Sequence, residues 1–177
     1  MELYSENKPD LQQSLNEIMD RYGTELSILA FSYVKDIEAA KDIVQNVFVK
    51  CYTHIHSFQG KSSLRTWLYR ITINECKDYL KSSYLKRIFL GGRVKEEPTH
   101  QTPEAVLLKK SEDEQVIMAI MSLGKKYREV MILRYIHHLE VKEIAHVLEV
   151  SAETVKTRIR RAKMKLLPVV KEELLYE

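Results

Sequence analysis

The segment SAETVKTRIRRAKMKL, from Ser151 to Leu166, concentrates side chains that can bind nucleic acid. It holds six Lys or Arg residues and one Glu, although the whole chain of 177 residues carries a net charge of only +3. Lysine and arginine neutralise phosphates, and arginine can also donate two hydrogen bonds to the O6 and N7 atoms of guanine. The segment therefore indicates a DNA-binding surface, although a charge run alone would more often be a solvated helix.

The residues around this segment predict a helix-turn-helix. Its apolar residues recur at spacings of four, three and four, which form one face of a helix: Val155, Ile159, Ala162 and Leu166. Ser151 is suited to cap that helix, and the apolar stripe over 141–148 predicts a preceding helix. Glu149 occupies the turn position that often holds Gly, so we expect this turn to differ slightly. The basic second helix would enter the major groove of DNA.

The rest of the chain is predicted to be helical as well. Only five Gly and four Pro interrupt it, and apolar residues recur at three- and four-residue spacing over about 11–33, 37–55 and 63–82. Asp36 is a plausible N-cap for the second of these helices. We therefore predict an all-α fold of two small helical domains, 10–84 and 111–172, joined by a flexible linker over 85–110.

The charge is distributed unevenly between these blocks. Residues 61–87 carry seven bases and two acids, a net charge of +5, and residues 151–166 again carry a net charge of +5. Residues 96–114, in contrast, hold six acids against two lysines. Two basic patches on either side of an acidic connector indicate a protein that contacts nucleic acid at two places.

Catalytic and metal chemistry find little support in the sequence. The run CYTHIH offers Cys51, His54 and His56 as metal ligands, but on a helix His56 points away from the other two and Cys51 fits the apolar stripe. We predict that the protein binds no metal, cofactor or small-molecule substrate and that it is not an enzyme. Two cysteines, the lack of a long apolar run and a polar N-terminus lead us to expect a cytoplasmic protein. His137 and His138 are expected to be solvated. Trp67 could stack on DNA, but its place in the apolar stripe favours a position in the core.

Three longer motifs resemble one family. The run KKYREVMILRYIHHLEVKEIAHVLEVSAETVKTRIRRAK resembles the fourth domain of bacterial sigma factors of the extracytoplasmic-function (group 4) type. AAKDIVQNVFVKCY resembles sigma region 2.2, and SFQGKSSLRTWLYRITINECKDYL resembles regions 2.3 and 2.4. The resemblance implies a transcription initiation factor that brings RNA polymerase core enzyme to promoters. In this family, domain two melts and binds the −10 element, and domain four binds the −35 element.

The resemblance also implies roles for individual residues. On this basis we expect Asp42, Gln45 and Asn46 to contact the clamp coiled coil of the core enzyme. The residues expected to contact −10 DNA are Phe58, Gly60, Lys61, Ser62, Ser63, Asn74, Lys77, Asp78 and Lys81. Those expected to contact −35 DNA are Arg128, Glu153, Lys156, Thr157, Arg160 and Arg161. Further implied partners are the flap of the polymerase and a membrane-bound anti-sigma factor that sequesters the protein.

Two other functions fit parts of the sequence. A one-component regulator could bind a palindrome through the helix-turn-helix without polymerase, and an adaptor could occupy polymerase without directing initiation. The basic third helix and the lack of a ligand-pocket signature argue against the regulator. The residues Phe58 to Ser63, which match a base-capturing loop, argue against the adaptor.

Overall fold

The computed structural model describes residues 11–54, 62–89 and 111–168, and the predicted all-α fold is confirmed within them because they contain no strand. Within these ranges, seven α-helices follow one another: α1 Leu11–Val34, α2 Ile37–His54, α3 Leu64–Phe89, α4 Ser111–Ser122, α5 Lys125–Met131, α6 Val141–Leu148 and α7 Ala152–Leu166. A π-helical turn, Ile132–Ile136, extends α5. We refer to α1–α3 as the N-terminal unit and to α4–α7 as the C-terminal unit.

The N-terminal unit is a three-helix arrangement in which each helix buries one apolar face. Lys35 adopts a left-handed conformation with φ of 56° and ends α1, so that the chain can reverse into α2. Asp36 caps α2 as predicted, because its Oδ1 accepts a hydrogen bond from the Ala39 amide at 3.0 Å. The interior holds fully buried side chains from all three helices: Leu26, Leu29, Val47, Cys51, Leu68 and Tyr69.

The C-terminal unit places α6 and α7 on a support made by α5 and its π-helical extension. The extension ends where the amide of His137 donates to the carbonyl of Ile132. Glu140 and Glu143 then open α6, since the Glu140 amide donates to the Glu143 carboxylate at 2.8 Å. Val130, Leu133, Ile144, Val155 and Ala162 form the buried centre of this unit.

The two units pack against each other and share one continuous apolar core. Helix α3 contacts α6, and α1 contacts α5. Among the helices of the described ranges, none is long and apolar enough to cross a membrane. The arrangement leaves one face of α2, one side of α3 over 74–84 and the outer face of α7 open to solvent.

Candidate nucleic-acid interface

The turn between α6 and α7 has the geometry of a helix-turn-helix. Glu149 takes the left-handed conformation (φ 57°, ψ 44°), and the Val150 amide donates to the Ala145 carbonyl at 3.0 Å. Ser151 then caps α7, because its hydroxyl accepts a hydrogen bond from the Thr154 amide at 3.1 Å. The expectation of an altered turn is wrong, since a glutamate adopts the conformation that glycine usually provides.

Helix α7 presents most of the predicted −35 residues to solvent. Glu153, Lys156, Arg160 and Arg161 are exposed and Thr157 is half-buried, while Val155, Ala162 and Leu166 are buried on the opposite side. This exposed set is called the −35 face. Positive side chains on the exposed side of a capped second helix are what insertion into a major groove requires.

Arg128 does not belong to this face. Its side chain is 8% exposed, and its Nη1 donates to the carbonyls of Met121 (3.1 Å) and Leu123 (3.2 Å) at the end of α4. Burial lowers the pKa of the guanidinium from its usual value. Because the side chain satisfies carbonyls inside the C-terminal unit, the structure offers no route from Arg128 to a DNA phosphate.

Other cations lie where a contact between Arg128 and DNA phosphate had been predicted. They form a cluster around Tyr127. The Lys126 and Lys165 ammonium groups lie 5.1 and 5.8 Å from the centre of the Tyr127 ring. Partial desolvation alone would raise the pKa of Tyr127, but Lys126 and the hydrogen-bonded Arg161 bring it below its usual value. The cluster adjoins the −35 face through Arg161, so it could bind phosphate. The adjacent lysines at 125–126 were its only sequence signal.

The second half of α3 carries the exposed part of the predicted −10 residues. Asn74, Lys77, Asp78 and Lys81 are exposed and share one side of the helix. Tyr84 lies on the same side, is 61% exposed, and was missed by sequence reasoning although it follows Lys77 by two turns. These residues are called the −10 face. Aromatic rings beside lysines suit single-stranded DNA, on whose bases they can stack.

The first part of the predicted −10 set is positioned differently. Ser63 is exposed, but its hydroxyl caps α3 by accepting a hydrogen bond from the Thr66 amide at 3.1 Å. Ser62 is half-buried. Phe58, Gly60 and Lys61 lie outside the described residues. Trp67 is partly buried and packs against the core, the position that its apolar stripe favoured.

Helix α2 presents a third face. Asp42, Gln45 and Asn46 are exposed on the side opposite the buried stripe of this helix. Val49 and Tyr52 extend the same side by two turns and are 61% and 48% exposed. This mixture of polar groups and exposed apolar side chains, called the α2 face, is typical of a surface that binds another protein. Val49 and Tyr52 follow Asp42 and Gln45 by seven residues each, so their place on this exposed side could have been predicted from the sequence.

Comparisons with known proteins identify the family. The sequence matches the families Sigma-70 region 2 over residues 18–84 and Sigma-70, region 4 over residues 113–166. It is 33% identical over 164 residues to the ECF RNA polymerase sigma-E factor of Escherichia coli (strain K12), covering 86% of this chain and 84% of that protein. It is 30% identical to the RNA polymerase sigma factor YlaC of Bacillus subtilis (strain 168), covering 88% and 91%.

The chain belongs to the extracytoplasmic-function (ECF) sigma factors. It is an alternative sigma factor, which is a transcription initiation factor and not an enzyme. Solved structures have the same fold. RpoE in complex with the anti-sigma factor NepR from Bartonella quintana matches with a TM-score of 0.70 and 22% identity over 93% of this chain and 98% of that one. CnrH in complex with the cytosolic domain of CnrY matches with a TM-score of 0.63 and 25% identity over 89% and 87%.

Two further residues of this ECF sigma factor are buried: Cys51, which was considered as a metal ligand, and His137, which was expected to be solvated. Cys51 is fully buried in the core, and the described residues contain no group of three potential metal ligands. His137 is 2% exposed and lies against Tyr69, with 5.1 Å between ring centres, so the expectation of a solvated pair is wrong for this residue. His138 is exposed as expected. Burial lowers the pKa of His137 to about 4.

Proposed function

We propose that this sigma factor divides promoter recognition between its three exposed faces. The α2 face, with Asp42, Gln45 and Asn46, binds the clamp coiled coil of the core enzyme. The −10 face of α3 contacts the melted −10 element, and the −35 face of α7 enters the major groove of the −35 element. The polymerase flap is a further expected contact of the C-terminal unit.

The observation that carries this proposal is the contrast between the two sides of each helix. Helices α2, α3 and α7 bury their apolar stripes, yet each keeps a coherent set of polar or charged side chains in solvent. On the −35 face, Arg160 and Arg161 are exposed and can donate to guanine edges, Arg161 in exchange for its hydrogen bond to Tyr127. Lys156 forms an exposed, weak ion pair with Glu153 at 3.8 Å. The rival regulator would need only the −35 face, so exposed α2 and −10 faces favour a sigma factor.

The proposal is tested by run-off transcription with purified bacterial core polymerase and a library of promoter fragments, followed by sequencing of the start sites. Discrete starts that share two spaced motifs are expected only when core and sigma factor are both present. An Asp42→Ala/Gln45→Ala variant should need a higher concentration for half-maximal transcription, whereas Thr24→Ala, exposed on α1, should behave like the wild type. Tight binding to a palindrome without core, and no core-dependent start, would favour the one-component regulator.

We also propose that an anti-sigma factor controls this protein and holds it at the membrane. The support is that RpoE of Bartonella quintana was solved with an anti-sigma factor and CnrH with the cytosolic domain of CnrY. The test is fractionation of cells of the natural host, followed by purification of the sigma factor from the detergent-solubilised membranes. Co-purification of one membrane protein that blocks run-off transcription is expected, and recovery of all sigma factor in the soluble fraction would contradict the proposal.

A further inference from the structure

A groove runs along α7 beside the −35 face. It has a volume of about 450 Å³ and lies between α7, the π-helical turn and the start of α6. Its lining includes two members of the −35 face, Lys156 and Arg160, and also Leu167, which directly follows α7. The volume is in the range of clefts that bind ligands, about 300–1,000 Å³. Whatever fills this groove therefore lies against part of the surface that we propose to contact DNA.

The floor of the groove is apolar and is partly open to solvent. Met164 and Leu167 are 63% and 42% exposed, and the half-buried Val141 and Ile159 line the same groove. Apolar side chains that are grouped around a cleft, rather than scattered singly over a surface, are typical of a binding site. A methionine is especially suited to such a site, because its flexible side chain adapts to the shape of its partner.

The rim of the groove is strongly positive. Within the described residues, its lining holds four bases and no acid: Arg134, Lys156, Arg160 and Lys163. Arg134 already donates to the Leu139 carbonyl at 2.9 Å. Lys156 and Arg160 are exposed, so these two are the most accessible to a negative group. An occupant that combines apolar side chains with carboxylates fits the groove in both respects.

The segment 169–177 has this chemistry. It follows α7 in the chain, lies outside the described residues and has the sequence VVKEELLYE. Two apolar pairs stand on either side of its charged centre, and it holds three glutamates and one lysine. It begins at one end of the groove, since it is separated from the groove residue Leu167 only by Pro168. A proline at this position favours a change in chain direction, because it cannot continue a helix.

The segment is long enough to reach the whole groove. From Leu167 back to Lys156 the groove extends over eleven residues of α7, which corresponds to about 16 Å at 1.5 Å per residue. Nine residues in extended conformation span up to about 30 Å. Such a short connection also gives the segment an effective concentration in about the millimolar range. A weak interaction is therefore sufficient to keep it in the groove for much of the time.

We propose that the segment 169–177 docks in this groove in the free sigma factor and competes with DNA for Lys156 and Arg160. The inference rests on the proposed function of the −35 face. The apolar pairs pack on the floor of the groove and hold the segment, since exposed ion pairs alone contribute little. Its glutamates occupy the two bases that would otherwise bind DNA. Affinity for DNA is then reduced by the fraction of molecules whose groove is empty.

Paramagnetic relaxation in the full chain tests the docking. A nitroxide is attached to Glu177→Cys, and the reagent should spare Cys51 and Cys76 because both are fully buried. The readout is the NMR signal of the Ile159 methyl groups, which lie about 12 Å along α7 from Leu167. The matched control carries the same label and replaces the apolar pairs by serine, which leaves the charge unchanged: Val169→Ser, Val170→Ser, Leu174→Ser and Leu175→Ser. It is called the serine variant.

We expect the label to broaden the Ile159 signal several-fold more in the otherwise unchanged chain than in the serine variant. Equal broadening in both proteins would overturn the inference, because the segment would then move without docking. A further sample mixes nitroxide-labelled chains with isotope-labelled chains that carry no nitroxide. Broadening of equal strength in this mixture would also overturn the inference, since the groove would then bind a second copy of the chain.

A titration with a short, fluorescently labelled DNA duplex of mixed sequence tests the competition. At low salt, where phosphate contacts dominate binding, we expect the serine variant without label to bind roughly three- to tenfold more tightly than the wild type. Met118→Ser changes a residue of α4 that is 50% exposed and should bind like the wild type. Equal affinities of the wild type and the serine variant would overturn the competition.

Failure of the proposed function gives a different result. Adding Arg160→Ala and Arg161→Ala to the serine variant should weaken its binding to the duplex. If the affinity does not change, the −35 face does not bind DNA, and the competition is overturned together with the proposed function. The broadening of the Ile159 signal does not depend on DNA, so it would still show whether the segment docks in the groove.

Discussion

The two helices that we propose to contact DNA, α3 and α7, use their positive charge differently. In α3 the arginines of the first half are paired within the protein, Arg65 with Glu25 and Arg70 with Glu149, whereas Lys77 and Lys81 of the second half are exposed. In α7 Arg158 alone is paired with a buried carboxylate, and Arg160 and Arg161 face solvent. Two segments with the same net charge of +5 therefore differ in which of their described cations are paired within the protein.

This difference separates the helix that we propose to bind a duplex from the helix that lies between the units. Helix α7 is short, capped by Ser151 and open along one side, so it can be inserted into a groove. Helix α3 is 26 residues long, and its first half is held between the N-terminal unit and α6. A charge count identifies both regions as basic, but only the contacts show which cations remain available.

The largest expected effect comes from removing the exposed arginines of α7. In Arg160→Ala/Arg161→Ala we expect promoter affinity of the holoenzyme to fall by roughly several hundredfold, since each good arginine–guanine pair is worth about 1–3 kcal/mol and the variant removes two arginines. The measurement is a filter-binding titration of promoter DNA with reconstituted holoenzyme. Glu17→Ala, exposed on α1, is the control and should leave the affinity unchanged. An unchanged affinity in the double variant would mean that α7 does not contact the promoter as proposed.

A second effect concerns His137, whose pKa of about 4 lies below the usual value of about 6.5 because of burial. Between these values the unfolded chain binds a proton that the folded chain excludes. The free energy of unfolding should therefore fall as the pH drops from about 6.5 to about 4, by roughly 3 kcal/mol. Groups facing His137 oppose each other: Glu25 favours its protonation, whereas Arg65 and His138 disfavour it.

Urea unfolding at a series of pH values measures this effect. His137→Gln should flatten the dependence of the unfolding free energy on pH in that window. The adjacent His138→Gln, which changes an exposed ring, should keep the dependence of the wild type. Equal slopes in all three proteins would show that His137 titrates normally in the folded state.

Arg128 and Lys126 form a matched pair for separating stability from DNA binding. Arg128→Ala leaves the carbonyls of Met121 and Leu123 without their donor, and we expect the free energy of unfolding to fall by about 2 kcal/mol. Lys126→Ala changes an exposed residue of the Tyr127 cluster and should leave stability within about 0.5 kcal/mol while lowering promoter affinity. Denaturant unfolding and promoter titration of both variants check this. A stable Arg128→Ala with weaker promoter binding, or a destabilised Lys126→Ala with normal promoter binding, would contradict these roles.

The smallest effect tests the turn before α7. Glu149 holds a left-handed conformation that is strained for any residue with a Cβ atom. Glu149→Gly and Glu149→Ala both remove the pair with Arg70, but only glycine relieves the strain. We expect the Gly variant to be about 1 kcal/mol more stable than the Ala variant in denaturant unfolding. Equal stability would mean that the turn relaxes to another conformation.

The sequence was sufficient where periodicity determines exposure. The spacing of apolar residues along α2, α3 and α7 correctly predicted which side of each helix is buried and which is exposed. Asp42, Asn74 and Arg160 lie on the exposed sides. The caps Asp36 and Ser151 were also predictable, because their hydrogen bonds are local.

Contacts between residues far apart in the chain could not be predicted in this way. The Tyr33–Glu129 bond spans 96 residues, and the burial of His137 depends on Tyr69 of the other unit. Arg128 looked like a DNA contact because its charge is visible in the sequence, whereas the carbonyls that it satisfies at the end of α4 are not. Charged residues at element ends therefore need the structure before they are assigned to a surface.

The most direct test of two separate DNA faces is to sequence start sites from the promoter library with two variants beside the wild type. Asn74→Ala/Asp78→Ala changes the −10 face, and Arg160→Ala/Arg161→Ala changes the −35 face. We predict that the first relaxes base preference only in the downstream motif and the second only in the upstream motif. If both variants relax the same motif, or if neither changes any preference, the assignment of the two faces is wrong.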